Sequence, residues 1–408
     1  MNPWQLICLK AFFLGLAGVP FAYLFDRNGY FFYMTRNVTT EYILQAYLWT
    51  VYGFLVIFLS YYFLGLNKRL IYYQSLDLEP MLKNNYIVLW AFSFVGILTC
   101  IVVLLIQVGT HPIFLSLNLD PTNYAIKRIE VASKFNANIY NLGLKVFGVF
   151  ALITSLFVIK KFLFSFITII SVVVLATFSL AKSPMADTLL MITFIYLLMY
   201  RPKWLQMIPL MFLMVLAIGA MYFLSGGLNN ISNFLGALSN RVLYGQFADL
   251  PYYFLMFQDE CVTLSSILPP YIQSLFGDYS INAARMVIEL TDPQAFLMGA
   301  AGVANTVFIG EAYAWAGILG VLIAPFWVAF HFLILIIFFT CLKKTIYNVF
   351  FFGYLLCRLS DGLFGGFSYY IFSGIHIVWG GFIYLLLLKF FIDGIGGSKK
   401  LKEIEDRP

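Results

Sequence analysis

Residues 310–340 read GEAYAWAGILGVLIAPFWVAFHFLILIIFFT, and they place one glutamate, Glu311, at the start of a long apolar run. After Glu311, the next Asp, Glu, Lys or Arg is Lys343. About 20 apolar residues are enough for a helix to cross the hydrocarbon core of a bilayer. The stretch therefore predicts a membrane-spanning helix with a carboxylate at its N-terminal end. Because the run is longer than one crossing needs, we expect the helix to be tilted, kinked near Pro325 or preceded by an external helical turn.

The composition of the whole chain indicates an all-α integral membrane protein. Of its 408 residues, 62% are hydrophobic and 11% are charged, whereas soluble domains carry about 25% charged residues. We interpret residues 1–408 as a single polytopic membrane domain with about ten transmembrane helices. The predicted spans are 6–24, 42–66, 86–108, 140–159, 162–180, 186–200, 205–224, 306–340, 345–364 and 367–391.

Clusters of basic residues between the apolar runs predict the orientation of the chain. They are Lys68 and Arg69, Lys160 and Lys161, Arg201 and Lys203, Lys343 and Lys344, and Lys399, Lys400 and Lys402. Under the positive-inside rule these connections are cytoplasmic, and both termini are cytoplasmic with them. The clusters do not join into the continuous basic face that a nucleic acid would require, so membrane lipids are the expected surroundings.

One external loop, residues 225–305, is much longer than the others. A stretch of about 80 residues without structure of its own would be unusual in a compact protein. Segments such as VLYGQFADLPYYFLMF are also too apolar for a solvated tail. We expect the loop to form short amphipathic or re-entrant helices that cover the outer mouth of the bundle as a lid. Glu311 is then expected at the outer end of the eighth span, beneath this lid.

The sequence contains no motif for a metal or a nucleotide. The five cysteines are scattered and the three histidines lie far apart, so no ligand cluster is expected. No GxxxxGK[ST] motif is present. We expect neither a metal nor a cofactor.

Charged residues near the external ends of the spans are candidates for function, because charges at membrane depth are costly and usually line a cavity. They are Lys182, Asp187, Arg241, Glu311, Arg358 and Asp361. Arginines in a cavity under an apolar lid suit the phosphates of a lipid-linked ligand. Local pairing, such as Arg358 with Asp361 three residues later, is the alternative interpretation.

The sequence NTVFIGEAYAWAGILG at 305–320, which follows the long loop, resembles the Wzy-type O-antigen polymerases. In that family a Gly-Glu-aromatic element commonly opens the helix after the large loop. The matching residues are Asn305, Gly310, Glu311, Tyr313, Gly317 and Gly320. Lys182 in TFSLAKSPMADTLL matches a basic residue, more usually arginine, in a turn between two central spans, and Arg241 lies early in the large loop.

The resemblance implies an inner-membrane glycosyltransferase of bacteria with a GT-C-like architecture, independent of metal and active at the periplasmic face. Such an enzyme moves a growing glycan from undecaprenyl diphosphate to the non-reducing end of an incoming lipid-linked repeat unit. Its partners are undecaprenyl-diphosphate-linked oligosaccharides and a chain-length regulator. The related O-antigen ligases typically carry a histidine near the start of the corresponding span, and its absence here favours a polymerase.

The chemical needs of this implied reaction suggest roles for individual residues. The candidate catalytic residues are Glu311, Arg241, Lys182 and Asp187, and the candidate substrate-binding residues are Arg285, Arg358, Tyr313, Trp315, Asp259 and Glu260. Glu311 is the first candidate for a general base. The basic residues would stabilise the leaving diphosphate. Tyr313 and Trp315 could stack on sugars or belong to an interfacial aromatic belt.

Two other functions fit the same sequence. A ligase-like transferase would use lipid A core as the acceptor in place of a second lipid-linked repeat unit. A flippase or other transporter would carry charges along a cavity reachable from both faces, whereas the inner halves of the predicted spans are nearly free of charge.

Overall fold

The computed structural model describes residues 1–25, 29–79, 83–116, 121–181, 183–209, 239–262, 282–297, 306–373 and the single residues 212, 216, 219, 236 and 304. The α-helices are α1 (Pro3–Ala11), α2 (Gly18–Phe25), α3 (Tyr30–Met34), α4 (Thr40–Phe63), α5 (Leu66–Ser75), α6 (Lys83–Val108), α7 (Pro112–Ser116), α8 (Pro121–Lys134), α9 (Ala137–Asn141), α10 (Val149–Ile153), α11 (Phe162–Ala176), α12 (Ser183–Met199), α13 (Leu250–Met256), α14 (Ala283–Thr291), α15 (Pro293–Leu297), α16 (Phe308–Thr340) and α17 (Ile346–Gly362). The π-helical segments are Phe12–Leu16, Leu142–Gly148, Thr154–Ile159, Asn240–Tyr244 and Tyr369–Ser373, and short 3₁₀ turns occupy Thr177–Ser179 and Trp204–Met207.

Among the described residues, five helices are long and apolar enough to cross a membrane. They are Thr40–Phe63, Asn85–Val108, Ala137–Ile159, Phe162–Ser179 and Phe308–Thr340. A pair bent by 45°, Pro3–Leu16 with Gly18–Phe25, would make a sixth span. The chain is thus a helical membrane protein, as its composition predicts. The predicted spans 205–224 and 367–391 lie largely outside the described residues, so the count of ten and the GT-C-like architecture stay predictions.

Local sequence explains where several of these helices begin. Asn2 caps α1 through a capping box with Gln5, and Pro3 occupies the first turn, where its missing N–H costs nothing. Asn282 caps α14 by accepting the N–H of Ala284.

In α8, hydrogen bonds from Lys127 and Lys134 lower the pKa of Glu130 to about 2.

The chain divides into two compact units. The first contains Met1–Ser75, Asn230–Leu342 and Leu355–Val378, and the second contains Leu76–Asn229, Lys343–Tyr354 and Trp379–Pro408. Helix α17 contributes to both. Within the first unit α4 packs along α16, and Trp4 stacks on Tyr61 with ring centroids 3.9 Å apart.

Helix α16 is broken near its start. Ala316 (φ −139°, ψ 21°) and Gly317 (φ 56°, ψ −139°) are not helical, and they separate a short helix, Phe308–Trp315, from the long one that follows. The backbone at Gly317 has a positive φ, which glycine adopts without a Cβ clash. Of the three possibilities expected from the sequence, a short helix ahead of the span is the one that this break supports.

The two parts of α16 pack closely at Gly320. A Cβ at this position would lie 2.0 Å from the carbonyl oxygen of Ala312, so only glycine permits the contact. The carbonyl of Ala314 accepts the N–H of Val262 at 2.8 Å, which ties the chain after α13 to the short helix. Because of the break, the first two turns of α16 lie beside the long helix and do not simply lengthen it.

In the second unit, Lys344 joins two other chain segments. Its side chain is 3% exposed, and its Nζ donates to the carbonyl of Leu76 at 2.6 Å and to that of Met199 at 3.2 Å. Burial lowers the pKa of Lys344, and the charge of Asp77 opposes that shift. Met199 is the last residue of α12, and the dipole of a helix stabilises a cation at its C-terminal end.

We expect Lys344→Met to lower the free energy of unfolding by about 1.5–3 kcal/mol, because two buried carbonyls lose a charged donor. Lys343→Met is the matched control. The Lys343 side chain is 82% exposed and reaches Glu79 only at 3.5 Å, and such surface pairs contribute about 0–1 kcal/mol. Thermal unfolding of the detergent-solubilised variants measures the difference. Equal losses in both variants would remove Lys344 from this role.

Two exposed cysteines allow the predicted orientation to be tested. Cys261 follows α13 and Cys341 follows α16, and both thiols are exposed. If the long loop is external and Lys343 and Lys344 are cytoplasmic, a membrane-impermeant maleimide labels Cys261 but not Cys341 in cells with a permeable outer membrane. Labelling of Cys341 should then require permeabilisation of the inner membrane. The reverse order would overturn the predicted orientation.

Candidate functional site

Glu311 is a buried carboxylate within the short first part of α16. Its side chain is 4% exposed, and Oε2 accepts the N–H of Ser368 at 2.8 Å. The N–H of Phe367 and the hydroxyl of Ser368 also stabilise the carboxylate. The ion pairs among the described residues do not include Glu311. Among the described residues, the Glu311 carboxylate is thus stabilised by hydrogen bonds from Phe367 and Ser368 and has no ion pair.

The start of α16 lies beside the middle of α4. The ring of Phe54 contacts the rings of Phe308 and Phe364, with centroids 6.2 and 6.1 Å apart. A Cβ on Gly53 would lie 2.9 Å from the side chain of Ile309. The short first part of α16, which carries Glu311, therefore packs on the middle of α4.

A turn after α17 supplies the donors to Glu311. The N–H of Phe308 donates to the carbonyl of Leu363 at 3.1 Å, so the turn also meets the beginning of α16. Gly366 has φ +101°, and a Cβ there would lie 2.4–2.5 Å from the carboxylate atoms of Glu311. Non-helical backbone within a membrane must be covered by protein or line a wet cavity. Here the start of α16 packs against this turn.

Helix α13, from the stretch predicted to form the lid, packs against the Glu311 helix. A Cβ on Gly310 would lie 2.8 Å from Leu250 and 3.2 Å from Tyr253. The ring of Phe254 lies 4.3 Å from that of Tyr313, centroid to centroid. Burial raises the pKa of Tyr253 well above its usual value, and the charge of Glu311 adds to the effect.

Three charged side chains of the same unit form a cluster before this turn. Asp361 lies near the end of α17, and its two carboxylate oxygens contact different cations: Oδ1 lies 2.7 Å from Lys10 Nζ, and Oδ2 lies 3.3 Å from an Arg358 nitrogen. The pairing of Arg358 with Asp361 that the sequence suggests is thus present. Lys10 was not among the predicted site residues. Its sequence signal is a lysine inside the otherwise uncharged first span.

Five other predicted site residues of this unit either pack on protein or are exposed. Tyr313 is buried against Phe254, and Trp315 stacks on Phe367 with centroids 6.1 Å apart, so both rings pack on protein. Asp259 and Glu260 are exposed just after α13, and Arg285 is exposed on α14.

The remaining candidate site residues are Asp187, Arg241 and Lys182. Asp187 belongs to the second unit, where its carboxylate lies 3.4 Å from Lys145 Nζ. Arg241 belongs to the π-helical segment Asn240–Tyr244, and its side chain lies outside the described residues. Lys182 and Asn305 also lie outside the described residues.

A surface groove with an empty volume of about 850 Å³ runs along α4 and is lined by Glu41, Leu44, Gln45, Leu48, Trp49 and Tyr52. Glu311 is not among its lining residues. Within the described ranges, no group of three or more His, Cys, Asp or Glu could hold a metal ion.

The side chains of the first unit can perform two chemical tasks. Glu311 can accept a proton in a site largely closed to water, and the cations Lys10 and Arg358 can bind negative charge. Both groups are connected by the turn from Asp361 to Ser368. Comparisons of the chain with protein-family models, with curated proteins and with solved structures give no match.

Proposed function

We propose that the protein is a membrane glycosyltransferase that polymerises oligosaccharide repeat units carried on undecaprenyl diphosphate. The proposal rests on Glu311, a carboxylate buried at 4% exposure in a chain with few charges. A buried charge in an apolar protein costs free energy, and such residues are usually kept for function. The resemblance of residues 305–320 to O-antigen polymerases supplies the reaction class.

In the proposed reaction, a hydroxyl at the non-reducing end of the acceptor glycan attacks the anomeric carbon of the donor glycan. The new C–O bond forms while the bond from that carbon to the diphosphate oxygen breaks. The electron pair of the broken bond leaves with the diphosphate, and the hydroxyl proton passes to the carboxylate of Glu311. Cationic side chains stabilise the negative charge that develops on the leaving group.

The surroundings of Glu311 suit a base in this reaction. Its hydrogen bonds come from the turn at Phe367 and Ser368, which fixes the orientation of the carboxylate. Gly310 and Gly366 flank it without side chains. Arg358, one of the predicted diphosphate-binding residues, lies before the same turn and is 5% exposed. The proposal also assigns diphosphate binding to Arg241, Arg285 and Lys182.

Expression in cells that make a lipid-linked repeat unit but lack their own polymerase tests the proposal. We expect the protein to convert single repeat units into a ladder of polymers, visible on a gel of the extracted glycan. Single units transferred to lipid A core without a ladder would favour a ligase. Repeat units that reach the outer leaflet without polymer or transfer would favour a flippase.

A further inference from the structure

We propose that Lys10 and Arg358 together form a phosphate-binding site, in which Asp361 pairs with both cations and competes with the phosphate for them. This inference deepens the proposed function, because it assigns the diphosphate of the donor lipid to a particular pair of side chains. Lys10 is the new residue in the site. It comes from α1, more than 300 positions away in sequence from α17.

Both cations contact the same carboxylate, that of Asp361. Lys10 Nζ lies 2.7 Å from Oδ1 of Asp361 and donates to the hydroxyl of Ser360 at 3.2 Å. An Arg358 nitrogen lies 3.3 Å from Oδ2 of the same carboxylate. The three charged side chains are 14%, 6% and 23% exposed for Lys10, Arg358 and Asp361, respectively. Both cations are therefore held within reach of a single group of oxygens.

The chemistry of the cluster favours a phosphate. Among the described residues, the cluster contains two positive charges and one negative charge, so these groups attract a further anion in a medium of low dielectric constant. A guanidinium binds phosphate through paired donors, and an ammonium binds it as a point charge. The hydroxyl of Ser360 provides a third donor. A diphosphate has enough oxygens to accept from all of these groups at once.

The position of the cluster relative to Glu311 fits a leaving group. The carbonyl of Asp361 accepts the N–H of Phe364 at 3.0 Å, which begins the turn whose later residue Ser368 binds Glu311. Lys10 Nζ lies 5.4 Å from the ring centroid of Phe364 on that turn. The proposed base and the proposed phosphate site thus lie at opposite ends of one turn of the chain.

Binding measurements on the full-length protein in phosphatidylcholine nanodiscs test the site. The probe is a polyprenyl diphosphate, and native mass spectrometry reports its apparent Kd. We expect Lys10→Gln to weaken binding by roughly 10- to 100-fold, as for loss of a charged hydrogen bond. Lys10→Arg should retain binding. The control is Lys161→Gln, which removes an exposed lysine that also lies over a ring, that of Phe164 at 5.8 Å, and binding should be unchanged.

Asp361→Asn separates a phosphate site from a merely structural ion pair. Removing the competing carboxylate should tighten binding of the diphosphate several-fold, whereas a structural cluster predicts no gain. This variant decides the question if Lys10→Gln does not fold. Unchanged binding in folded Lys10→Gln, or no gain in Asp361→Asn, would overturn the site.

Competition identifies the source of the phosphate. Displacement by inorganic pyrophosphate or phosphatidylglycerol at the same concentration as the polyprenyl diphosphate would support the site but assign it to free or ordinary lipid phosphate. Because the assay contains no acceptor glycan, it is independent of polymerisation. A protein that binds through Lys10 but makes no polymer would refute the proposed function and leave the phosphate site in place.

Discussion

Replacing Glu311 by Gln is expected to reduce polymer formation by roughly 100-fold or more, the usual contribution of a general base. Gln keeps the size of the side chain and an oxygen that can accept the N–H of Ser368, but it cannot take up a proton at neutral pH. The protein should therefore fold and reach the membrane in normal amounts. Single repeat units should accumulate while the ladder of polymers is lost.

The control for this substitution is Glu289→Gln, because Glu289 is an exposed glutamate on α14. It should leave the ladder unchanged. A carboxylate that only gains from the dipole at the start of a helix contributes about 0.3–1 kcal/mol to stability, and its loss would leave product formation near normal. Normal ladders from the Glu311→Gln variant would assign Glu311 a structural role.

Gly366→Ala is expected to have an effect on activity of similar size. A Cβ at this position would lie 2.4–2.5 Å from the carboxylate of Glu311, and the backbone has φ +101°. A left-handed conformation costs an L-residue about 1–2 kcal/mol, and the contact forces the carboxylate or the turn to move. A displacement of about 1 Å at a reacting group can reduce a rate by about 100-fold. The rate of polymer formation per amount of membrane protein measures this effect.

The neighbouring glycine provides a matched control. Gly365 is exposed, and a Cβ there would come no closer than 3.4 Å to the carbonyl oxygen of Asp361. Gly365→Ala should therefore retain most of the activity. Similar activities for the two alanine variants would show that the contact between Gly366 and Glu311 does not position the carboxylate.

Hydropathy and charge were sufficient to predict the membrane character and the approximate limits of the described spans. For example, the predicted span 42–66 corresponds to α4 at Thr40–Phe63, and 86–108 falls within α6 at Lys83–Val108. Long apolar runs give this information because a helix is the structure that satisfies its own backbone groups in lipid. The pairing of Arg358 with Asp361 was also accessible, since residues three apart share a helix face.

The break in α16 was not accessible from hydropathy. The segment from Phe308 to Thr340 is apolar on both sides of Gly317, and glycines are common in membrane helices, so the position of the break carries no separate signal. Pro325 was the conventional choice for a kink, yet it lies within the long helix. The placement of Glu311 in a short helix ahead of the long one follows from this break.

The contact between Lys10 and Asp361 depends on the tertiary structure. The two residues are 351 positions apart, and a single sequence does not say which of several charged residues will meet. A lysine within an apolar span indicates a partner, because the charge is costly without one. The tertiary structure identifies that partner. Trp4 of α1 stacks on Tyr61 of α4, and Lys10 of the same helix contacts Asp361 of α17.

Reaction of the purified protein with a lipid-linked repeat unit tests the proposed chemistry most directly. The protein is reconstituted in nanodiscs, which have no enclosed compartment, and is given an undecaprenyl-diphosphate-linked oligosaccharide alone in the presence of EDTA. We expect polymers that stay linked to lipid, with one molecule of undecaprenyl diphosphate released for each linkage formed, and we expect Glu311→Gln to slow both products together. If the wild-type protein leaves the oligosaccharide unchanged and releases no undecaprenyl diphosphate, the protein is not a polymerase.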